Sequence, residues 1–203
     1  MIEHQKYKKA TVSSYQIAKK GNDLCGDSFY TKETDNYLIC AVADGLGSGK
    51  LAKDASGKAT EIIDLNHDEP VERLMFLCNE GMRQTRGAVI AIVKVDYINK
   101  MATFSGVGNI RFMISTERQR AVHPLPKLGF LAGKPEKFKI QEFKFERELS
   151  FMLYSDGMDI HTVSRSLLTK MISPKESVNY ISALPQEIND DATVLVGQVN
   201  LEE

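Results

Sequence analysis

The sequence predicts an α+β fold: a four-layer α-β-β-α sandwich of two stacked, mainly antiparallel sheets flanked by helix pairs. Three observations carry that prediction. The segments run in the order strands, two helices, strands, two helices, strand. Strands grouped in runs favour antiparallel sheets over regular βαβ alternation, and two helix pairs suffice to cover two stacked sheets. Residues 37–43 form a continuous apolar run, the pattern of a fully buried strand.

Residues 11–18 and 27–31 read as short strands separated by the turn-rich Gly21-Asn22-Asp23. The 37–43 strand ends in a glycine-rich turn, Asp44-Gly45-Leu46-Gly47-Ser48-Gly49. A helix is expected from Lys50 to Leu65, with Leu51, Ala55, Ile62 and Leu65 on its apolar face. Pro70 suits the first turn of a second helix, expected to end near Thr85. Residues 88–96, 101–107 and 110–115 read as consecutive strands. The stretch 124–136, with three prolines and two glycines, reads as a loop or lid. Over 138–145, Phe138, Ile140, Phe143 and Phe145 alternate with polar residues, and a slip near Glu142 suggests a bulge. Residues 150–155 form another apolar strand running into Asp156-Gly157. Helices are expected over 162–172 and 174–184, the second opening with Pro174 behind Ser173. Residues 192–199 complete the set. The length suits one domain over 1–203.

Composition excludes several classes. The chain is 42% apolar and 26% charged, ordinary for a globular domain. Its formal net charge of -1 gives no overall basic field to attract nucleic acid. Lys6, Lys8, Lys9, Lys19 and Lys20 read as a solvated flank, with a docking surface for an acidic partner as the alternative. Residues 1–6 hold no signal core, and no run approaches the ~18 apolar residues of a spanning helix, so no membrane role and cytoplasmic residence are expected. Cys25, Cys40 and Cys78 form no CxxC pair, and the four histidines form no HExxH. A bound metal would therefore be held by carboxylates.

The carboxylates for it lie at strand ends. Asp44 precedes Gly45, Asp156 precedes Gly157, and Asp190-Asp191 stands before the last strand; Asp27 opens the second. Carboxylates at the ends of buried strands are costly without positive charge, and no lysine or arginine adjoins them in the chain. Hard cations such as Mg²⁺ or Mn²⁺ prefer such oxygen ligands. Glycine after an aspartate lets the backbone approach closely and can expose a carbonyl as a further ligand.

These motifs, Ala41-Val42-Ala43-Asp44-Gly45-Leu46-Gly47, Ser155-Asp156-Gly157 and Asp190-Asp191-Ala192-Thr193, resemble those of metal-dependent PPM-type Ser/Thr protein phosphatases. Cys25-Gly26-Asp27-Ser28-Phe29 is similar to the family's first acidic motif, and the resemblance runs from about residue 15 to 199. It implies two Mn²⁺ or Mg²⁺ ions, with Asp44 bridging them and the Gly45 carbonyl on one. Asp156 and Asp190 would complete the other, and Asp27 would help directly or through water. Asp44 and Asp156 are thus the implied catalytic residues. Asp191 is read as an outer neighbour of the ligands. So is Asn109, which stands where many relatives carry an aspartate tied to a third metal. No equivalent of the family's N-terminal phosphate-clamping arginine is visible.

Within the family the likeness is narrower, to the feedback phosphatases of the stressosome. It implies action on phosphoserine and phosphothreonine of stressosome scaffold proteins of the STAS-domain type, restraining the general stress sigma factor pathway; a monomer is expected. A metal-bound water or His123 would protonate the leaving group. Three alternatives stay open: a catalytically weak scaffold of the same fold that binds phosphoproteins, nucleotide binding at Gly45–Lys50, and a nucleophilic or redox role for Cys25. The nucleotide reading fits neither a GxGxxG nor a Walker motif, since Lys50, Leu51 and Asp44 occupy positions those motifs need otherwise.

Overall fold

The computed structural model describes residues 1–170, 172–185 and 189–201. The elements are β1 (Ile2–Lys6), β2 (Ala10–Ile17), β3 (Asp27–Glu33), β4 (Tyr37–Gly45), α1 (Lys50–Leu65), α2 (Val71–Gly81), β5 (Ala88–Asp96), β6 (Met101–Val107), β7 (Arg111–Thr116), β8 (Gln141–Lys144), β9 (Glu148–Tyr154), α3 (His161–Thr169), α4 (Pro174–Ser182) and β10 (Ala192–Asn200). They build two five-stranded sheets, ordered β1-β2-β10-β9-β7 and β3-β4-β5-β6-β8. Every pairing of these strands is antiparallel.

The composition of β4 explains the layering. Successive side chains of a strand point to opposite faces, so a strand apolar at every position must be covered on both. Leu38, Cys40 and Val42 enter the core between the sheets with Val93, Phe112, Phe151 and Leu195. Ile39, Ala41 and Ala43 pack instead with Ala59, Ile63, Leu74 and Met75 of α1 and α2. β10 does the same in the other sheet. Leu195 and Val199 face inward, while Val194 and Val196 meet Leu167, Val178 and Ile181 of α3 and α4. Phe104 of β6 stacks on Phe112 of β7 across the interface, centroids 4.2 Å apart.

Helix ends follow local chemistry. α4 opens with a capping box: the Ser173 hydroxyl accepts from the Glu176 amide, and Glu176 accepts from the Ser173 amide. α2 stops at Gly81, short of Thr85, because the chain tightens into a 3₁₀ turn at Met82–Gln84. α3 ends at Thr169, and residue 171 of the expected 162–172 helix lies outside the described residues.

Two departures from the sequence reading are instructive. β1 was not expected, because Glu3, His4 and Gln5 carry no apolar alternation. It is a polar edge strand, registered from Ile2↔Tyr15 to Lys6↔Thr11 by a tight turn in which the Tyr7 amide donates to the Ala10 carbonyl at 2.8 Å. Lys6, Lys8 and Lys9 therefore stand on a hairpin, while Lys19 and Lys20 follow β2. The 138–145 segment pairs only over Gln141–Lys144, and its register with β6 is unbroken, so there is no bulge at Glu142. The change of phase has another cause. Phe138 and Ile140 pack toward the α1–α2 side, while Phe143 and Phe145 turn into the core between the sheets.

Candidate active site

Strand register brings the acidic motifs to one end of the sandwich. Asp27 pairs with Asp44 across β3 and β4, and Gly45 pairs with Ala88. In the other sheet, Tyr154 pairs with Val194 and Ala192 with Ile17. The two sheets are joined there by a buried chain of polar contacts. Ser155 Oγ donates to Asp27 Oδ2 at 2.7 Å and accepts from the Thr193 amide at 2.9 Å. Gln16 Nε2 donates to Thr193 Oγ1 at 2.9 Å.

Glycine makes both Asp-Gly turns possible. A Cβ on Gly45 would collide with the Ala52 carbonyl in the first turn of α1, and one on Gly157 with the Asp191 carbonyl. The glycine-rich turn and the 190–191 segment can thus close onto the strand ends.

The electrostatics are those of anions waiting for a cation. Asp27 is fully buried, and with both carboxyls ionised its Oδ1 has no partner; a proton held on Asp44 could bridge the pair. Burial pushes the Asp27 carboxyl above the ordinary carboxylate range, against the hydrogen bonds from Ser155 and Thr193. Asp44 is pushed up as well, by burial first and then by the charges of Asp27, Asp156 and Asp190. Asp44 therefore feels the other three as one cluster, although among the described residues no three acidic, histidine or cysteine side chains form a ready-made metal cage.

The neighbouring aspartates 190 and 191 are used differently. Both Asp191 oxygens are taken: Oδ1 accepts from the Lys19 amide and Oδ2 from the Gly26 amide, each at 2.8 Å. This carboxylate pins the loop from β2 to β3 beside Asp27. Asp190 is exposed, and its Oδ1 accepts from the next amide, at 2.9 Å. Asp191→Ala would strand two amides, and its stability should drop by roughly 2–4 kcal/mol in urea unfolding. An unchanged midpoint would contradict the pinning role.

Asn109, in the turn between β6 and β7, donates through Nδ2 to Asp156 Oδ2 at 2.6 Å. An aspartate there would set two carboxylates in contact; the asparagine instead orients Asp156. Cys25 is no nucleophile: its thiol points at the Ile17 carbonyl, and burial together with Asp27 pushes it up to about 12, far from thiolate formation. His123 follows Val122, which bridges to Ile114 of β7.

Sequence reasoning missed three kinds of residue. Ser155 and Thr193 were visible inside the motifs but carried no assigned role. Lys53, one turn into α1, donates to the Asp27 carbonyl at 2.8 Å and to Ser28 Oγ at 3.1 Å. Arg86 lies against the glycine-rich turn, where a Cβ on Gly47 would sit 2.8 Å from its Nη1. No local signal marks Lys53 or Arg86, because each reaches the site from another element.

A carboxylate cluster closed by two Asp-Gly turns, at one end of an antiparallel α-β-β-α sandwich, is the arrangement of a metal-dependent protein phosphatase. The chain belongs to the protein phosphatase 2C family, whose model matches residues 18–119. It is 36% identical over 200 residues to the phosphoserine phosphatase RsbX of Bacillus subtilis strain 168, covering 98% of this chain and 100% of that one. The crystal structure of RsbX in complex with magnesium superposes with a TM-score of 0.91, at 36% identity and the same coverage. A second solved structure, from the bacterial stressosome as a modular system adapted to control secondary messenger signalling, is 28% identical, with a TM-score of 0.85 over 94% of this chain and 100% of that one. The sandwich expected from the sequence is thus the fold of this family. Among the described residues, no helix is long and apolar enough to cross a membrane.

Proposed function

We propose that the chain is a cytoplasmic phosphatase that uses two Mn²⁺ or Mg²⁺ ions to hydrolyse phosphoserine and phosphothreonine on phosphorylated STAS-type scaffold proteins of a stressosome. Residues 1–203 would act as one monomeric domain. The observation that carries this reading is the pairing of fully buried Asp27 with half-buried Asp44, with further carboxylates in their field. An all-oxygen donor set of this charge fits hard divalent cations.

Asp44 and the Gly45 carbonyl would hold one ion; Asp44, Asp156 and Asp190 the other, with Asp27 assisting. Bound there, the ions supply Lewis acidity and a water of lowered pKa as the attacking group. The protein's own part is preorganisation. Ser155 fixes the Asp27 carboxylate and Asn109 fixes Asp156. Asp191 holds the loop beside them, and Arg86 offers positive charge to the phosphoryl oxygens at the mouth of the glycine-rich turn.

The substrate class rests on likeness to RsbX and to the stressosome-associated structure. It is tested by incubating the enzyme and Mn²⁺ with a phosphorylated STAS-type scaffold protein and, separately, with a phosphotyrosine peptide. Phosphate release from the scaffold alone is expected. Equal rates on both substrates, or no release from the scaffold, would overturn the assignment.

A further inference from the structure

At the far end of the sandwich the surface has the opposite charge. A cleft of about 710 Å³ opens there between the β1–β2 turn, the β5–β6 turn, the start of β9 and the end of β10. Lys6, Lys8, Lys9, Lys100 and Arg147 line it, and among the described residues no carboxylate does. The carboxylate behind it, Glu33, is already engaged: it accepts from the Lys8 amide at 2.8 Å, the Lys9 amide at 3.0 Å and the Tyr97 hydroxyl at 2.7 Å. Glu33 thereby locks the two turns that present the cations. Lys9 is fixed as well, its Nζ on the Asp35 carbonyl at 3.0 Å and 5.0 Å from the centroid of the Tyr97 ring. Lys8 has only a solvent-exposed ion pair with Asp35 at 3.8 Å. Among the described residues, Lys6, Lys100 and Arg147 have no ion-pair partner.

A chain of net charge -1 has thus separated its charges, with aspartates clustered at one end and, among the described residues, a cleft lined by five cations at the other. We propose that this cleft docks an acidic segment of the phosphorylated protein partner. The proposal rests on the phosphatase reading for the partner's identity. Charge complementarity selects an anion. An oligonucleotide fits poorly, because the Tyr97 ring is buried beneath Lys9 and the Tyr7 hydroxyl is bound to Gln5 and Thr31, leaving no open aromatic face for a base. Ala192 and Asn200 bound β10, so the cleft stands roughly 26 Å from the aspartates. Residues flanking a phosphosite in a short peptide do not span that distance easily. The cleft reads another part of a folded partner, and it discriminates whole proteins from small phosphate esters.

The test compares wild type with K6Q/K8Q/K100Q/R147Q, and with a control of equal charge change elsewhere on the exposed surface, K134Q/K137Q/K139Q/K175Q. Binding of fluorescein-labelled oligoglutamate is read by anisotropy. The cleft variant should lose about tenfold or more in affinity, and wild-type binding should weaken with salt. KM for the phosphorylated scaffold should rise with kcat unchanged, and p-nitrophenyl phosphate turnover should stay at the wild-type rate. No binding by wild type, equal losses in both variants, or tighter binding of a single-stranded oligonucleotide would overturn the proposal. Peptide binding intact in a protein that hydrolyses no phosphate ester would sink the phosphatase reading and leave the cleft standing.

Discussion

Asp44→Asn is expected to lower phosphate release by roughly a thousandfold or more. The same change should make the metal-free protein more stable. Asp44 is the residue on which the other carboxylates converge, and in the proposed reading it would hold both ions. Without metal that placement is a liability, because its ionised form is buried among like charges. A carboxyl whose folded pKa is raised binds its proton more tightly in the folded state. Metal-free wild type should therefore be most stable at acid pH, near the ordinary carboxylate value. It should lose stability as pH rises through the raised pKa of the pair. Asp44→Asn removes one of the two coupled carboxyls, so its stability should depend less on pH. A neutral-pH gain of about 1 kcal/mol would appear as roughly 2–4 °C in Tm for a domain of this size. A variant that kept wild-type turnover, or lost stability at neutral pH without metal, would contradict the role.

Gly45→Ala should be among the most destabilising single substitutions in the chain, at about 3 kcal/mol or more. The added methyl would strike the backbone carbonyl of Ala52, which cannot rotate away as a flexible side chain would. Either β4 or the first turn of α1 must shift, and both are embedded in the α1–α2 core through Ala43, Ala59 and Ile63. The shift would also move the carbonyl proposed as a metal ligand, so activity and urea midpoint should fall together. Glycine is required here by contact, since the position lies within β4 and not in a left-handed turn. A wild-type midpoint for Gly45→Ala would mean that the turn and the helix are not packed as described.

The layers and the acidic motifs were legible for a common reason. A strand such as β4, apolar at every position, implies cover on both faces, and aspartates that punctuate such strands must lie at their ends. The bounds of α1, Lys50 to Leu65, were legible because a glycine-rich turn precedes it and a polar break follows, but its buried face was not: Leu51 and Leu65 are exposed, and Ala52, Ala59 and Ile63 pack beside Ala55 instead. β1 was not, because an edge strand of Glu3, His4 and Gln5 is held by backbone pairing and a turn, which leave no hydrophobic period. The phase change near Glu142 was legible as a pattern but its cause was not, since the sequence does not say which layer covers each half. In the site, the aspartates announce themselves, but their supports do not. Ser155 reaches Asp27 across 128 residues of chain, and Lys53 arrives from a helix; Asn109 and Asp191 were legible only through the resemblance. Such contacts are made by the register between sheets and leave no local spacing to read.

The central claim is that these strand-end carboxylates form a metal-dependent phosphatase centre. The most direct test is phosphate release from a phosphoserine protein by wild type and Asp44→Asn, each with Mn²⁺, with Mg²⁺ and with EDTA. Release by wild type with either metal, abolished by EDTA and by the substitution, is the expected result. Release that persists in EDTA, or in the variant at the wild-type rate, would contradict it.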